Sequence, residues 1–503
     1  MADNYIKSIL NANIYDLVEE TPVDFAPLLS VRLNNRVLLK REDLQPVFSF
    51  KLRGAYNRLL RLTTEQRKKG VVAASAGNHA QGLAMAAHHL GVPARIVMPR
   101  TTPTIKIEAV KRLGGKVVLH GDDYDSAAAH AAKLAEKQGL TPIHPFDDPD
   151  VIAGQGTVAM ELLRQVAEPV DAIFVPVGGG GLCAGMAVYS KYLQPRIKII
   201  AVEPDEAACL QAALASGRRV KLNQVGIFTD GAAVAQIGKE TFRLLRHTVD
   251  QVITVSTDEV CAAIKDIFED TRSIAEPAGA LAVAGMKKYV ARHQHRNQTL
   301  VAINSGANMN FDRLRYISER TDIGEKREAI FAVTIPEVPG SFRKFCGLLS
   351  GRMITEFNYR IASREQAHIF VGIQVASEDE RKQVFTQLVE KGYSAHDLTD
   401  DEMAKLHIRH MVGGRSQTVQ NERVFRIEFP ERPGALLRFL KHMGSAWNIS
   451  MFHYRNHGAA FGRVLVGLEI PASDFRQFDT KLAELGYAYV EETANPAYRI
   501  FLG

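Results

Sequence analysis

Lys51 stands in the run Phe48-Ser49-Phe50-Lys51-Leu52-Arg53-Gly54, where apolar and small neighbours would place its amine in a partly desolvated pocket. Desolvation disfavours the ammonium form and leaves the neutral amine that attacks a carbonyl carbon. Lysine is ordinarily a surface residue, so this run alone says little. Three further signals follow in order: Ser75-Ala76-Gly77-Asn78-His79-Ala80-Gln81-Gly82, the glycines Gly178 to Gly181, and Ser305-Gly306.

Ser75 to Gly82 follows the apolar run Val71–Ala74 and opens a helix, so Ser75 reads as an N-cap beside free backbone N–H groups that attract anions. The bland alternative is a helix start rich in small residues. Asn78 and His79, however, add donors facing the same anion, and a substrate carboxylate is the natural guest. Gly178 to Gly181 lies between the run Ala172–Val177 and a helix at Leu182–Leu193. There, consecutive N–H groups can turn toward one phosphate without side-chain obstruction. Loops use glycine freely, so the turn is weak evidence alone. With no GxGxxG and no Walker lysine and hydroxyl, a dinucleotide or nucleoside triphosphate is disfavoured. Ser305 ends the apolar run Thr299–Asn304, where α/β sheets present groups to ligands, and its hydroxyl could face a ring nitrogen. An amine nucleophile, a carboxylate site, a phosphate cradle and a ring-facing hydroxyl together describe a pocket for pyridoxal phosphate bonded to Lys51. They point to an enzyme acting on amino acids.

The elements that must position these groups alternate. From about Asn35 to Asn310, β-rich runs (Val71–Ala74, Ala94–Met98, Lys116–Leu119, Ala172–Val177, Ile197–Val202, Thr299–Asn304) are separated by helical stretches such as Gly82–His89, Thr104–Leu113 and Tyr124–Gln138. Such alternation reads as parallel α/β sheet, one or two of them. The charged stretch Asp322–Glu328 reads as a linker. Beyond it Phe331 to Phe342 matches Phe425 to Leu436, including Pro339-Gly340 against Pro433-Gly434, and Asn358-Tyr359-Arg360 matches His453-Tyr454-Arg455. Each copy reads strand, Pro-Gly turn, helix, strand, strand, helix, and Asp400–Asn421, with Gly413-Gly414 inside it, separates them.

With 503 residues, two to four domains are expected. A formal charge of +6, without a basic block, gives nucleic-acid binding little support. Cys183, Cys209, Cys261 and Cys346 lack CxxC spacing, which argues against a disulfide framework or structural zinc and fits a reducing cytoplasm. The charge-free stretches Gly70–Ala94 and Ala172–Ser190 carry polar residues or many glycines and do not read as membrane helices. Met1 to Leu17 lacks the continuous apolar core of a signal peptide.

Residues Thr21 to about Phe311 resemble the fold-type II pyridoxal-phosphate enzymes, the tryptophan synthase β family, and within them the threonine dehydratases (threonine deaminases). The S-F-K-x-R-G-A motif stands at Ser49 to Ala55, S-x-G-N-H-x-Q-G at Ser75 to Gly82, and the glycine loop is intact. The tail repeat resembles the paired ACT-like regulatory domains of the biosynthetic members. The resemblance implies an α/β catalytic domain over residues 1–321, with a small subdomain at about 54–153, and α+β ACT-like domains at 329–401 and 424–495. It further implies that Lys51 carries the cofactor and shuttles the substrate α-proton, and that Asn78 bonds the ring hydroxyl while Phe50 packs on the ring. Gly178, Gly179, Gly180 and Gly181 would hold the phosphate, Ser305 would face the pyridine nitrogen, and Ser75, Ala76, Gly77, Asn78 and His79 would take the substrate.

The reaction so implied converts L-threonine to 2-oxobutanoate and ammonia, and L-serine to pyruvate. Isoleucine would inhibit and valine counteract, with Tyr359 and Tyr454 near the effector pockets, in a cytoplasmic homotetramer. Two departures bear on this. Ala76 replaces the serine that racemases of the family use as an opposite-face base, which argues against racemisation. Cys209 replaces a carboxylate of the cation site some relatives form near Glu203 to Cys209, so no metal is expected. His88, His89 and His144 read as surface or loop residues, Asp122-Asp123 and Asp147-Asp148 as caps and turns, and Phe439, Trp447, Met451 and Phe452 as core. The competing readings are a serine dehydratase or other pyridoxal-phosphate lyase or synthase, with the tail as scaffold, and an amino-acid sensor with a relic catalytic domain.

Overall fold

The computed structural model describes residues 2–226, 228–311, 313–338, 340–349, 351–361, 365–406, 408–411, 416, 419–430, 434–444, 446–455 and 461–502. Pro339, Gly413-Gly414 and Glu431–Pro433 of the repeat and its spacer thus lie outside the described residues. The chain divides into two compact units, Met1–Gly324 and Glu325–Gly503.

The first unit holds two sheets. Six strands run in the order Val23–Phe25, Arg36–Arg41, Thr299–Asn304, Ala172–Pro176, Lys198–Pro204, Gln251–Val255; the edge strand Val23–Phe25 is antiparallel and the others are parallel. The strand Ala172–Pro176 shows why the order holds. Ile173 and Val175 point into one hydrophobic core and Ala172 and Phe174 into another, because successive side chains alternate faces. A strand buried on both faces must be continuously apolar, as this one is. A smaller, all-parallel sheet runs Lys116–Leu119, Ala94–Met98, Val71–Ala74, Thr141–Pro142.

The helix Lys51–Leu60 buries Leu52, Ala55, Tyr56 and Leu59 in the core beneath the smaller sheet. It meets the helix Pro149–Gln165 at close range: a Cβ on Gly154 would lie 2.6 Å from the Arg53 carbonyl oxygen. Behind Lys51, Arg53 donates to Glu42 (Nε to Oε2, 2.7 Å) and Glu161 (Nη2 to Oε2, 2.9 Å), and Lys40 Nζ donates to Glu161 Oε2 at 2.6 Å. All four side chains are fully buried, and their charges cancel.

The expected linker at Asp322–Glu328 is mostly structured. A helix spans Arg313–Gly324 and buries Ile317 and Ile323, Arg320 Nε donates to Asp258 Oδ1 at 2.5 Å, and a strand starts at Glu328. The charges that suggested a loop are partly paired.

The second unit is one eight-stranded antiparallel sheet in the order Ser394–Asp397, Glu328–Pro336, Gln366–Gln374, Ile354–Arg360, Asn448–Arg455, Phe461–Glu469, Glu422–Pro430, Tyr489–Glu491. Each repeat contributes four strands, one more than its sequence suggests, because a short strand follows the second helix. The copies join edge to edge where Asn358 pairs with His453, its own counterpart in the repeat, so a local twofold relates them. Alternate strand residues (Phe331, Val333, Ile335; Val464, Val466, Leu468) form one core with Phe345, Leu388, Phe439 and Phe478 from the helices. Trp447 and Phe452 belong to this core, and Met451 is fully buried too. The spacer is anchored in the first repeat: the Arg409 carbonyl oxygen accepts from Asn358 Nδ2 at 3.1 Å, and Arg409 Nη2 lies 2.8 Å from Glu356 Oε1.

Candidate active site

The four sequence signals meet in the first unit. Two are stitched together through the backbone: Ser49 and Gly306 form an isolated antiparallel bridge, Phe50 N–H donates to the Ser305 carbonyl (3.2 Å), and Ala307 N–H donates to the Phe48 carbonyl (2.9 Å). Phe48 takes a left-handed φ of 54°, uncommon for a bulky residue, immediately before this bridge. Lys51 then begins its helix. Its Nζ donates to the Pro145 carbonyl at 3.0 Å and lies 5.1 Å from the centre of the Phe50 ring. Burial pulls its pKa down to about 8 against an opposing pull from Glu276. The amine is therefore substantially neutral under mildly alkaline conditions.

Asn78 opens the helix Asn78–His89. Its Nδ2 donates to Glu276 Oε1 at 2.6 Å, and its Oδ1 accepts from Asn308 Nδ2 at 2.9 Å. The buried Ser305 hydroxyl donates to the Ala278 carbonyl at 3.3 Å. Ser75 is not the helix cap: Gly77 occupies that position without a side-chain cap, and the Ser75 hydroxyl accepts from Gly77 N–H at 3.3 Å. His79 also departs from expectation. Its ring turns inward, Nε2 lies 3.1 Å from the Ile143 carbonyl oxygen, and burial followed by Lys51 pushes its pKa down to about 3. It is a neutral core histidine; only its backbone remains at the turn.

At the glycine turn, Gly180 has a φ of +90°, and a Cβ there would sit 2.8 Å from Ile237. A Cβ on Gly178 would come within 2.9 Å of Ala232 Cα, and one on Gly179 would overlap the Phe146 ring at 2.2 Å. Only glycine fits, and the helix Gly181–Leu193 starts at once, so backbone N–H groups and the helix N-terminus are what this cradle offers an anion. The residues present suit a phosphorylated aldehyde: an amine of lowered pKa, a side-chain-free anion cradle and a buried hydroxyl.

Sequence reasoning missed the Ile143 and Pro145 carbonyls and Glu276, whereas Asp147 and Asp148 are the caps it expected. Segment 143–148 ties the site together: Ile143 and Pro145 supply the carbonyls facing His79 and Lys51, and Asp147 Oδ1 and Oδ2 cap the helix Lys239–Thr248 through Glu240 N–H and Lys239 N–H, both at 2.8 Å. Asp148 caps Pro149–Gln165. Glu276 was missed because a glutamate before Pro277 reads as an ordinary helix start; burial, then Asp230, pushes its pKa up to about 7. Glu203, in the segment matching the relatives' cation site, instead accepts Leu210 N–H at 2.7 Å and Gln211 N–H at 2.9 Å at a helix start.

In the second unit a pocket is lined by Glu337, Gly340, Phe342, Tyr359, Trp447 and Asn448, among others, from both repeats. Glu337 accepts from Tyr359 Oη at 2.6 Å and from Asn448 Nδ2 at 3.1 Å. Burial and the Glu337 carboxylate push the Tyr359 pKa upward. Tyr454 is buried and pairs with Phe357 across the joint between the repeats.

Residues 14–306 match the family described as pyridoxal-phosphate dependent enzyme, and residues 319–408 and 413–502 each match the C-terminal regulatory domain of threonine dehydratase. Fold and site thus define a fold-type II, tryptophan synthase β-like enzyme that depends on pyridoxal phosphate. The chain is 56% identical over 502 residues to L-threonine dehydratase biosynthetic IlvA of Burkholderia multivorans, covering 99% of each. It is 56% identical over 499 residues to the Escherichia coli protein of the same name, covering 99% of this chain and 97% of that one. The solved structure of the processed form of threonine deaminase isoform 2 from Solanum lycopersicum aligns with a TM-score of 0.62 at 49% identity, over 63% of this chain and 93% of that one. The chain belongs to the biosynthetic threonine dehydratase family. Among the described residues no helix is long and apolar enough to cross a membrane.

Proposed function

We propose that this enzyme dehydrates and deaminates L-threonine to 2-oxobutanoate and ammonia as the first step of isoleucine biosynthesis, with L-serine giving pyruvate as a side activity. The observation that carries the reading is the buried Lys51 amine, its pKa lowered to about 8, at a helix start that the bridge from Ser49 to Gly306 and the bond from Phe50 N–H to the Ser305 carbonyl tie to the strand end. The names of the full-length relatives support threonine as the substrate.

When bound, pyridoxal phosphate supplies an electron sink for the pair left at the substrate Cα. Gly178 to Gly181 would hold its phosphate, Phe50 would flank its ring, Asn78 Nδ2 would donate to its ring oxygen, and Ser305 Oγ would turn toward its ring nitrogen. A neutral hydroxyl there keeps the ring a moderate sink, which suits loss of a β-substituent. The backbone at Ser75, Ala76, Gly77 and His79, with the Asn78 amide, would orient the threonine carboxylate. Lys51 Nζ takes the Cα proton as general base. The β-hydroxyl departs as water on receiving that proton from Lys51 Nζ, and hydrolysis of the released enamine consumes one water and frees ammonia. Ala76 offers no proton on the opposite face, so racemisation is not expected.

The duplicated tail would serve regulation, with isoleucine inhibiting and valine opposing it. The pocket at Glu337 and Tyr359 has the chemistry for such a ligand: a carboxylate for an α-ammonium, and Phe342, Leu440 and Ile449 for a branched side chain. Two repeats allow two competing ligands, each of which must bind active and inactive states unequally. Cytoplasmic residence and a homotetramer complete the reading. Assay of 2-oxobutanoate and ammonia from L-threonine tests it; absence of both products from enzyme loaded with pyridoxal phosphate would refute it.

A further inference from the structure

Asn78 has a carboxamide with two N–H donors and one acceptor oxygen. One N–H goes to Glu276 Oε1 at 2.6 Å, and the oxygen accepts from Asn308 Nδ2 at 2.9 Å, while Asn308 Nδ2 is also 2.7 Å from the Val47 carbonyl oxygen. Glu276 has little freedom of its own. It is buried, its N–H donates to the Gly306 carbonyl at 3.0 Å, it precedes Pro277 at a helix start, and its Oε1 lies where a Cβ on Gly306 would be 2.7 Å away. An ionised carboxylate can only accept, so the Asn78 nitrogen must face Glu276, and charge assistance makes that contact stronger than a neutral one.

We propose that Glu276 is a positioning residue for the reaction: its carboxylate locks the Asn78 amide so that the remaining N–H is presented to the cofactor ring oxygen. This rests on the reading above that Asn78 faces that oxygen. A glutamine at 276 could pair with Asn78 in either orientation, so the isosteric change removes the lock while preserving the packing. The charged groups around Glu276 are Lys51, Lys106, Asp230 and Arg313. Burial and Asp230 raise its pKa to about 7, opposed by Asn78, Lys106 and Arg313. The lock is therefore complete above that pH and loosens below it, when Glu276 gains a proton it can donate.

The test compares parent holoenzyme with Glu276→Gln, Asn78→Ala and the double variant. The readouts are the visible absorption of the Lys51-bound cofactor as a function of pH, and kcat. The parent spectrum should show a step near pH 7 that Glu276→Gln lacks. Both single variants should shift the band and lower kcat by about tenfold, and the double variant should match Asn78→Ala within about twofold, as for residues acting through one contact. A Glu276→Gln spectrum that superimposes on the parent, or effects that multiply in the double variant, would overturn the inference. An unshifted Asn78→Ala spectrum would instead remove the cofactor role of Asn78 itself. If Glu276→Gln failed to fold by circular dichroism, Glu276→Ala, which removes the carboxylate facing Asn78, replaces it under the same criteria.

Discussion

Ser49 and Gly306 pair backbone to backbone in an isolated antiparallel bridge, and this bridge sets where Lys51 stands. Lys51 follows Ser49 by two residues, so the end of the strand Thr299–Asn304, through Phe50 N–H on the Ser305 carbonyl, fixes the start of the lysine's helix. A Cβ on Gly306 would meet Glu276 Oε1 at 2.7 Å and the Phe48 carbonyl oxygen at 3.1 Å. Gly306→Ala is therefore expected to push the two segments apart and weaken cofactor binding by about tenfold or more, for a displacement costing ~1.4 kcal/mol or more. Titration of apoenzyme with pyridoxal phosphate measures this; unchanged affinity would show that the bridge does not set the amine.

The lowered Lys51 pKa predicts a pH dependence of cofactor capture. Its value in the folded apoenzyme is about 8, below that of an ordinary lysine, so the reactive neutral amine makes up half the population there, nearly all of it above that pH, and is lost as pH falls below it. Stopped-flow absorbance should show the capture rate levelling off above about pH 8. An unperturbed lysine would instead give a rate still climbing about tenfold per pH unit there.

The buried quartet Lys40, Glu42, Arg53 and Glu161 is neutral overall only while complete. Glu161→Gln leaves two cations sharing one carboxylate and is expected to destabilise the catalytic unit by ~3–5 kcal/mol. Urea unfolding would register this as a lower midpoint, and a midpoint equal to the parent's would contradict it.

In the regulatory unit, Tyr359→Phe removes the hydroxyl that donates to Glu337. The isoleucine concentration for half-inhibition should rise about tenfold, the scale of one hydrogen bond to a charged group. Inhibition curves that superimpose would place the effector elsewhere.

The chemistry was legible where it demands a residue type. A lysine in an apolar run, glycines between a strand and a helix, and a serine at a strand end constrain function through composition and order alone. The internal repeat was legible because turn and strand residues recur at nearly fixed spacing. What was hidden depends on distant side chains meeting. Glu276 and the Pro145 carbonyl carry no local signature, and the buried quartet reads like ordinary surface charge until its members converge. His79 was misplaced because a helix start rich in small residues does not reveal which way its ring turns; the Ile143 carbonyl draws it into the core. The linker was overestimated because the charges of Asp322–Glu328 read as solvated, whereas the helix continues to Gly324, and Lys326 and Glu328 pair with Glu378 and Arg409.

On the function proposed above, Lys51 drives elimination from L-threonine under control of the duplicated tail. Formation of 2-oxobutanoate from L-threonine, followed with and without isoleucine in the parent and in Lys51→Ala, tests it most directly. The parent should form product that isoleucine suppresses, and Lys51→Ala should give neither product nor a lysine-bound cofactor spectrum. Enzyme that carries pyridoxal phosphate on Lys51 yet forms no 2-oxobutanoate would contradict it.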